Sequence, residues 1–391
     1  MSVGARRLAG FGTSVFSEMS RLAVQHGAVN LGQGFPDFPG PDFVKAAARA
    51  AIDADLNQYA ISHGSPRLRQ AIAATWARDH GREIDPDGEV TVTSGATEAI
   101  ADAMLAFLDP GDEVILFEPF YDSYPPVVAF AGGATRAVTL RPPDWLFDPD
   151  ELAAAFTPRT RLLLLNTPHN PTGKVFSTAE LDLVTDLCQR HDVVAVTDEV
   201  YERIVFDGAK HVPLATRPGM WERTLTLNST GKTFSMTGWK IGYAVGPAPL
   251  TAALRAVHQF VTFATATPFQ DAMAAALETA RERGYYDQLR AEYTARRDRL
   301  AAALADAGLP VLPIGGSYFL LADIAALGFP DDVAFCRWLT AEIGVAAIPP
   351  SAFYADPARA PQLARFCFAK RDETIAAAAE RLSHLRGRLP G

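Results

Sequence analysis

The sequence predicts an α/β fold, with a large domain built on a mostly parallel sheet and a smaller α+β domain. From about residue 65 to 285, short apolar runs alternate with amphipathic helical stretches, the pattern of βαβ units. Beyond residue 284, a charged helical stretch is followed by three strand-like runs, over 317–322, 345–348 and 365–368, and then by a terminal helix. We therefore predict a large domain over 41–283. The small domain would combine 284–391 with 1–40, which includes an N-terminal arm.

Five apolar runs predict strands of the large sheet, over 90–93, 114–117, 162–165, 193–196 and 224–227. Ligands of an open parallel sheet bind beyond the carboxyl ends of its strands. The last four runs are followed by an aromatic ring, an amide, an acid with a phenol, and a lysine. These residues are Tyr121, Asn170, Asp198 with Tyr201, and Lys232, which comes shortly after Ser229. We expect them to meet at one site.

The first run leads into the small-residue turn Ser94-Gly95-Ala96-Thr97 and a helix predicted over 98–108. Such a turn presents free backbone N–H groups and the positive end of the helix dipole. Gly95, Ala96 and Thr97 are therefore candidate ligands of a phosphate group, and Gly95 is equally typical of a turn that binds nothing.

Composition excludes several classes of protein. The 391 residues are 48% hydrophobic and 21% charged, as in globular proteins, and the formal charge of -9 argues against a nucleic-acid partner. Three widely spaced cysteines, Cys188, Cys336 and Cys367, predict neither a disulfide framework nor a metal site, and they favour a reducing compartment. The sequence lacks an apolar run of the ~20 residues that span a membrane. We expect a cytoplasmic protein with no membrane partner.

Lys232 is the best candidate for a reactive amine among the six lysines of the chain. The patterns around Lys45, Lys210 and Lys370 predict solvated surface side chains. Lys232 follows a buried strand, and a lysine reacts as a free amine when burial or a nearby positive charge lowers its pKa. Lys240, eight residues further on, can supply that charge.

Several other interpretations fail on spacing. The Gly231-Lys232-Thr233 triplet would end a P-loop if a glycine stood five residues before Gly231, but Thr226 stands there. Gly32-Gln33-Gly34 is followed by Phe35-Pro36 and not by a helix, so it does not predict a dinucleotide site. The sequence contains no HExxH or GxSxG motif, and its histidines are dispersed, so we predict no metal site.

Six segments in register carry a resemblance to a known family: Asn30 to Phe38, Leu56 to Tyr59, Glu118 to Tyr124, Asn166 to Gly173, Thr197 to Tyr201 and Ser229 to Gly242. The chain resembles the fold-type I, class I/II aminotransferases that depend on pyridoxal 5′-phosphate. It is most similar to the kynurenine aminotransferase/glutamine transaminase K branch and to the methionine and N-succinyldiaminopimelate aminotransferases. The resemblance implies a fold-type I transferase.

The resemblance also implies roles for the strand-end residues. Lys232 would hold pyridoxal 5′-phosphate as a Schiff base and then move the proton of the substrate. Asp198 would keep the ring nitrogen protonated. Asn170 and Tyr201 would bond the phenolic oxygen of the cofactor, with Asn170 also facing the substrate, and Tyr121 would stack on the ring.

The phosphate and substrate ligands follow from the same resemblance. Gly95, Ala96, Thr97, Ser229 and Lys240 would hold the phosphate, with Lys240 standing where many members have arginine. Arg365 would bind the α-carboxylate of the substrate, and the backbone of Gly34 would lie close to the same group. The substrate side chain would contact the aromatic residues Phe16, Tyr59 and Phe263. Tyr59 and Phe263 would come from the neighbouring subunit, so we expect a homodimer with its active sites at the interface.

The aromatic lining favours methionine, glutamine, aromatic or kynurenine-like donors, with transfer to a 2-oxo acid by a ping-pong mechanism. Phe16 and Ala264 stand where kynurenine-type members carry tryptophan and histidine. The segments 14–19, 167–171 and 346–349 are similar to those of N-succinyldiaminopimelate aminotransferases, which remain an alternative. A cysteine-S-conjugate β-lyase is a second alternative, since the same cofactor chemistry allows it. A regulator on the same fold is disfavoured, because about 30 residues before Gly32 cannot supply a DNA-binding domain.

Overall fold

The computed structural model describes residues 5–8, 10–12 and 14–389. The strands, numbered in chain order, are β1 (Val29–Asn30), β2 (Val90–Ser94), β3 (Glu113–Glu118), β4 (Ala134–Thr139), β5 (Thr160–Asn166), β6 (Val194–Asp198), β7 (Thr224–Ser229), β8 (Ile241–Val245), β9 (Phe319–Asp323), β10 (Val345–Ala346) and β11 (Leu363–Cys367).

The α-helices are α1 (Val15–Gln25), α2 (Asp42–Asp53), α3 (Pro66–His80), α4 (Gly95–Phe107), α5 (Tyr124–Phe130), α6 (Pro149–Ala155), α7 (Thr178–Arg190), α8 (Thr230–Thr233), α9 (Ala248–Val261), α10 (Thr267–Thr279), α11 (Tyr285–Asp306), α12 (Asp332–Trp338) and α13 (Asp372–Leu382). Among residues 5–8, 10–12 and 14–389, none of the helices has the length and apolar character needed to cross a membrane.

Seven strands form one central sheet in the order β2-β8-β7-β6-β5-β3-β4. The pairs from β7 to β4 are parallel, whereas β8 runs antiparallel to both β2 and β7. The central strands β3 and β5 are buried except at Arg161, because helices cover both faces, which explains their apolar runs. The predicted α/β class with a mostly parallel sheet is confirmed.

A second apolar core lies outside this sheet. β1 pairs with β10 in parallel, and β11 pairs with β9 antiparallel, to form two small sheets. Side chains from these strands pack with those of α11, α12 and α13 in one buried cluster. Residues from both ends of the chain thus contribute to the same core. The predicted domain boundaries at 40/41 and 283/284 remain a prediction.

The predicted elements differ from the structure mainly at their ends. The helix predicted from Glu98 begins at Gly95, because the glycine turn is itself the first helical turn. The strand predicted over 345–348 is shorter, since β10 pairs with β1 over two residues and Ile348 then bridges to Arg365. That bridge brings the β11 arginine next to the chain that leaves β10.

Candidate active site

A cavity of about 450 Å³ lies beyond the carboxyl ends of the central strands, within the size range of small-molecule sites. Thirteen of the fifteen site residues predicted from the sequence line it: Phe16, Gly34, Gly95, Ala96, Thr97, Tyr121, Asn170, Asp198, Tyr201, Ser229, Lys232, Lys240 and Arg365. The other two, Tyr59 and Phe263, do not. Sheet order explains the convergence, since β5, β6 and β7 are neighbours and Asp198 stands opposite Asn166 and Leu227.

Lys232 projects into the cavity from α8, directly after β7. Its Nζ donates to the hydroxyl of Tyr318 at 2.9 Å, and the carbonyl of Gly34 lies 3.5 Å away. The Tyr318 hydroxyl in turn donates to the same carbonyl at 2.6 Å. Burial of the ammonium lowers the pKa of Lys232 to about 8, so a sizeable fraction of the amine is uncharged near neutral pH.

Asp198 ends β6 as a buried carboxylate on the same cavity wall. It accepts a hydrogen bond from the Tyr124 hydroxyl at 2.7 Å, and its backbone carbonyl accepts from Asn166 Nδ2 at 2.8 Å. Burial raises the pKa of Asp198, which means that a positive partner is needed to hold its charged form. The Asn166 side chain also accepts from the backbone N–H of Asn170 at 2.7 Å and so fixes both neighbours.

Arg365 lies on β11 with 1% of its surface exposed. Its guanidinium donates to Asn170 Oδ1 at 3.0 Å and to the Gly32 carbonyl at 2.9 Å, and it lies 4.1 Å from the centre of the Phe319 ring and 5.0 Å from that of Phe16. Its buried Nε has no hydrogen-bond partner among the described residues. Burial lowers the pKa of Arg365. The group thus retains a donor for an acidic ligand.

The turn at Gly95 has the geometry of an anion cradle. Gly95 has a φ of +74°, and a Cβ there would lie 3.3 Å from Lys240 Nζ, so the lysine sits directly over the turn. Gly242 on β8 is equally constrained, because its Cβ would come within 2.4 Å of the Gly95 carbonyl carbon. The first N–H groups of a helix have no partner inside the helix. Together with Lys240 they suit a phosphate.

Two tyrosines complete the cavity wall. Tyr201 is buried, with its ring centre 5.0 Å from that of Tyr318 and an edge-to-face geometry. The ring of Tyr121 lies 5.6 Å from that of Tyr124, and burial raises the pKa of Tyr121 to about 12. Both phenols are therefore neutral hydrogen-bonding groups at physiological pH.

Tyr59 and Phe263 lie away from the cavity, where they contact each other at a ring-centre distance of 5.3 Å. They are 83% and 48% exposed, and Phe260 nearby in sequence is 85% exposed. A set of aromatic rings this exposed is characteristic of a contact surface. The cavity of one chain is therefore formed without them.

The prediction that Lys370 is a solvated surface residue is wrong. It is 3% exposed, and its Nζ donates to the carbonyls of Phe35 at 2.9 Å and Gln33 at 3.2 Å. The side chain turns inward because these loop carbonyls need donors, a demand that the local sequence pattern does not reveal. Lys370 thereby holds the loop that carries Gly34.

The residues at the cavity to which sequence analysis gave no role include Asn166, Tyr124, Tyr318 and Asp122. Asn166 and Tyr124 stand within the motifs that carried the family resemblance, so their position was a usable signal. Tyr318 gave no such signal, because it looks like an ordinary aromatic residue before an apolar strand. Its approach to Lys232 depends on how β9 packs against the central sheet.

The donor set fits the cofactor that the resemblance implies. A buried acid that forms no salt bridge with the described residues suits a protonated ring nitrogen, the glycine turn with Lys240 suits a phosphate, and an amine of lowered pKa suits a carbonyl carbon. All three face one cavity.

Comparison with known proteins agrees. A family model described as aminotransferase class I and II matches residues 27–382. The chain is 50% identical to the probable N-succinyldiaminopimelate aminotransferase DapC of Mycobacterium tuberculosis over 98% of each chain, and 46% identical to the methionine aminotransferase of Escherichia coli over 97% of each. The structure of YbdL from Escherichia coli, described as having a methionine aminotransferase function, matches 98% of this chain and 100% of its own with a TM-score of 0.94 at 45% identity.

The family match spans most of the chain, and the relatives cover it almost completely, which confirms the resemblance drawn from the motifs. The chain therefore belongs to the class I and II aminotransferases, enzymes that use pyridoxal 5′-phosphate.

Proposed function

We propose that the chain transfers the amino group of an L-amino acid with an uncharged side chain to a 2-oxo acid, with Lys232 as the covalent attachment point of the cofactor. The observation that carries this proposal is the shared cavity of the Lys232 amine, the Asp198 carboxylate and the Gly95 turn. When bound, pyridoxal 5′-phosphate supplies an electron sink for the pair left on the substrate Cα after its proton is removed.

Lys232 acts as the proton carrier in this proposal. Its lowered pKa keeps the released amine near the optimum for taking and returning a proton at neutral pH. Tyr318 accepts a hydrogen bond from the amine and is itself anchored on the Gly34 carbonyl. That anchor holds Nζ at a defined place in the cavity between its two proton transfers.

Asp198 and Arg365 orient the reacting partners. Asp198 would hold a proton on the ring nitrogen; Tyr124 fixes the direction of its carboxylate, and Asn166 fixes its backbone carbonyl. Arg365 binds the substrate carboxylate with its guanidinium, which already lies in place through its bond to Asn170. Tyr201 and Asn170 would offer hydrogen bonds to the phenolic oxygen, Tyr121 would cover the ring face, and Ser229 would hold the phosphate together with Lys240.

The cavity favours an uncharged substrate side chain. Among the described residues that line it, the three cations are already assigned, with Lys232 to the cofactor, Lys240 to the phosphate and Arg365 to the α-carboxylate. Phe16 lies 5.8 Å from Phe353 by ring centres, so an apolar wall faces the substrate, and Asp122 would repel a second carboxylate. Methionine, glutamine, aromatic and kynurenine-like donors meet these conditions better than N-succinyldiaminopimelate, the substrate named for the 50% identical relative.

We also infer a cytoplasmic homodimer in which Tyr59 and Phe263 complete the substrate pocket of the neighbouring chain. Their exposure and their distance from their own cavity support this arrangement. The absence of a disulfide among the three buried cysteines is compatible with a reducing compartment.

A matrix of amino donors against 2-oxo acids tests the substrate proposal. We expect kcat/KM for methionine or an aromatic donor to exceed that for N-succinyldiaminopimelate by more than about tenfold, which is 1.4 kcal/mol. The reverse preference would overturn it. Pyruvate release from a cysteine conjugate without a 2-oxo acid would instead indicate β-lyase activity.

Mixed dimers test the shared pocket. Tyr59→Ala should raise KM, and Lys232→Ala should be inactive. After the two variants are mixed and exchanged, hybrid dimers contain one site with an intact Lys232 and an intact neighbouring Tyr59. With Lys232→Ala in large excess, nearly every Tyr59→Ala chain is in a hybrid, and the KM of the mixture should then return to the native value. A KM that stays at the Tyr59→Ala level would show that Tyr59 serves its own chain.

A further inference from the structure

His258 lies on α9, outside the cavity, and 0% of its surface is exposed. Its Nε2 donates to the Ser62 carbonyl at 2.7 Å, and its Nδ1 lies 2.7 Å from Glu98 Oε1. Burial lowers the pKa of His258, but its hydrogen bonds to Glu98 and Ser62 raise that pKa above the usual value. The hydrogen bond from His258 also helps to lower the pKa of Glu98. Both ring nitrogens face acceptor oxygens, an arrangement that a doubly protonated imidazolium beside a carboxylate satisfies.

Glu98 connects this pair to the phosphate cradle. Its second carboxylate oxygen accepts from the backbone N–H of Ser94, the residue that precedes the Gly95 turn. Glu98 also lies in the first turn of α4, beside the N–H groups of Gly95, Ala96 and Thr97. One carboxylate thus fixes the conformation of the turn and places a negative charge next to an anion site.

That negative charge has to be compensated. A buried carboxylate one helical turn from a phosphate would repel it, since charges interact strongly where little water separates them. His258 supplies the compensating positive charge through a direct hydrogen bond. His258 also connects the cradle to the two exposed aromatic residues. Its ring bonds Ser62, which lies close in sequence to Tyr59, and its backbone carbonyl accepts from the N–H of Phe263 at 3.0 Å.

Asp102 lies one turn further along α4, with its Oδ2 3.7 Å from His258 Nδ1. It is fully buried, and its oxygens have no hydrogen-bond partner in the part of the chain that the structure describes. Burial and the charge of Glu98 raise the pKa of Asp102 to about 7. Two acids and a histidine could also hold a metal ion, but ligands of a tetrahedral ion lie roughly 3 Å apart or more. The 2.7 Å contact between Nδ1 and Oε1 fits a shared proton better.

We propose that His258 is a positioning residue for the cofactor phosphate, which holds Glu98 against the Ser94–Gly95 turn and cancels its charge. The proposal rests on the function proposed above. It places a determinant of cofactor affinity in the core between the phosphate cradle and the aromatic surface of Tyr59 and Phe263. His258 acts through Glu98 and touches neither the cofactor nor the substrate.

The test compares phosphate-dependent and phosphate-independent binding. Full-length chain freed of cofactor is titrated with pyridoxal 5′-phosphate and with pyridoxal, and inorganic phosphate competes with the first. We expect His258→Gln to weaken binding of pyridoxal 5′-phosphate and of phosphate by about tenfold or more, because Glu98 is left uncompensated. Binding of pyridoxal should change less than about threefold. The double variant Glu98→Gln/His258→Gln removes both charges and should recover most of the lost affinity.

Equal losses for pyridoxal 5′-phosphate and pyridoxal, or a double variant no better than His258→Gln, would overturn the proposal and leave His258 a purely structural residue. Glu98→Gln alone covers the case in which His258→Gln does not fold, and it should keep phosphate affinity within about threefold, since no charge then needs compensation. A tenfold loss in Glu98→Gln would contradict the charge argument.

Asp102→Asn, a matched change in the same cluster without contact to Ser94, should not weaken binding. Failure of the unaltered chain to bind pyridoxal 5′-phosphate would refute the proposed function instead.

Discussion

The cofactor side and the substrate side of the cavity are built in different ways. On the cofactor side, Gly95 follows β2, Asp198 ends β6 and Lys232 comes shortly after β7, so one sheet fixes their relative positions. On the substrate side, Phe16, Gly34 and Arg365 come from α1, from a loop and from β11, which no common sheet joins. A side chain on the first side is placed by backbone topology, whereas one on the second depends on packing between distant segments.

This difference separates chemistry from selectivity. Backbone-to-backbone contacts, such as that of Gly242 with Gly95, leave the cofactor side little freedom. The substrate side is held by individual side chains, such as Lys370 on the carbonyls of Phe35 and Gln33. Changes on the cofactor side should therefore abolish the reaction, and changes on the substrate side should mainly alter affinity.

Lys232→Ala should give the largest effect. Removal of the amine eliminates both cofactor attachment and proton transfer, so kcat/KM should fall roughly 10⁴-fold or more. Borohydride treatment followed by peptide mass analysis should find the reduced cofactor on the peptide that carries Lys232 in the unaltered chain and not in the variant. Lys210→Ala, at an exposed lysine, is the control. Labelling of another lysine in the unaltered chain would contradict the assignment.

Much of the cofactor side could be predicted from the sequence because strand ends of one parallel sheet must converge. Asp198 and Lys232 follow apolar runs, and the location of those runs was enough to bring them together. The substrate side could not be derived in this way. Arg365 and Phe16 were named through the family resemblance, and Lys370 was misjudged because its partners are backbone carbonyls 335 and 337 positions away in the sequence.

Arg365→Ala tests a substrate-side residue that is nevertheless buried. Loss of hydrogen bonds to a charged group costs about 1.5–3 kcal/mol, so KM for the amino acid should rise roughly 10- to 150-fold with a smaller change in kcat. Steady-state kinetics with methionine and 2-oxoglutarate measure this, and Arg359→Ala, at an exposed arginine, is the control. An unchanged KM would remove Arg365 from the substrate site and make its unpaired Nε a structural feature.

Gly242→Ala tests the rigidity of the cofactor side. The added Cβ would meet the Gly95 carbonyl carbon at 2.4 Å and the Ala96 nitrogen at 2.6 Å, and neither backbone atom can yield without moving the phosphate turn. Overpacking of this kind costs about 1–3 kcal/mol, which should appear as weaker binding of pyridoxal 5′-phosphate. Gly238→Ala is the matched control, since no atom of the described residues lies within 4 Å of its Cβ position. Equal affinities in both variants would show that the turn adapts.

The pH dependence of cofactor capture tests the state of Lys232. Its pKa is lowered to about 8, so the charged and unreactive ammonium predominates below that pH. The rate of covalent capture by the cofactor-free chain should rise about tenfold per pH unit up to pH 8 and then level off. A simple alkyl amine, with an unshifted pKa near 10.4, serves as the reference and should continue to gain rate above pH 9. A chain that follows the reference would show that burial does not activate this lysine.

Gly34→Ala should give the smallest effect and marks the adaptable side of the cavity. The added Cβ would lie 2.9 Å from Cζ of the Phe319 ring, whose face carries the Arg365 guanidinium at 4.1 Å. A ring can tilt where a backbone cannot, so we expect a cost of about 1 kcal/mol, seen as a roughly fivefold rise in KM with kcat and cofactor affinity unchanged. Gly387→Ala, where no described residue lies within 4 Å of the Cβ position, is the control. A loss of cofactor affinity as large as that of Gly242→Ala would mean that both sides of the cavity form one rigid unit, because strain at the Gly34 loop would then reach the phosphate turn.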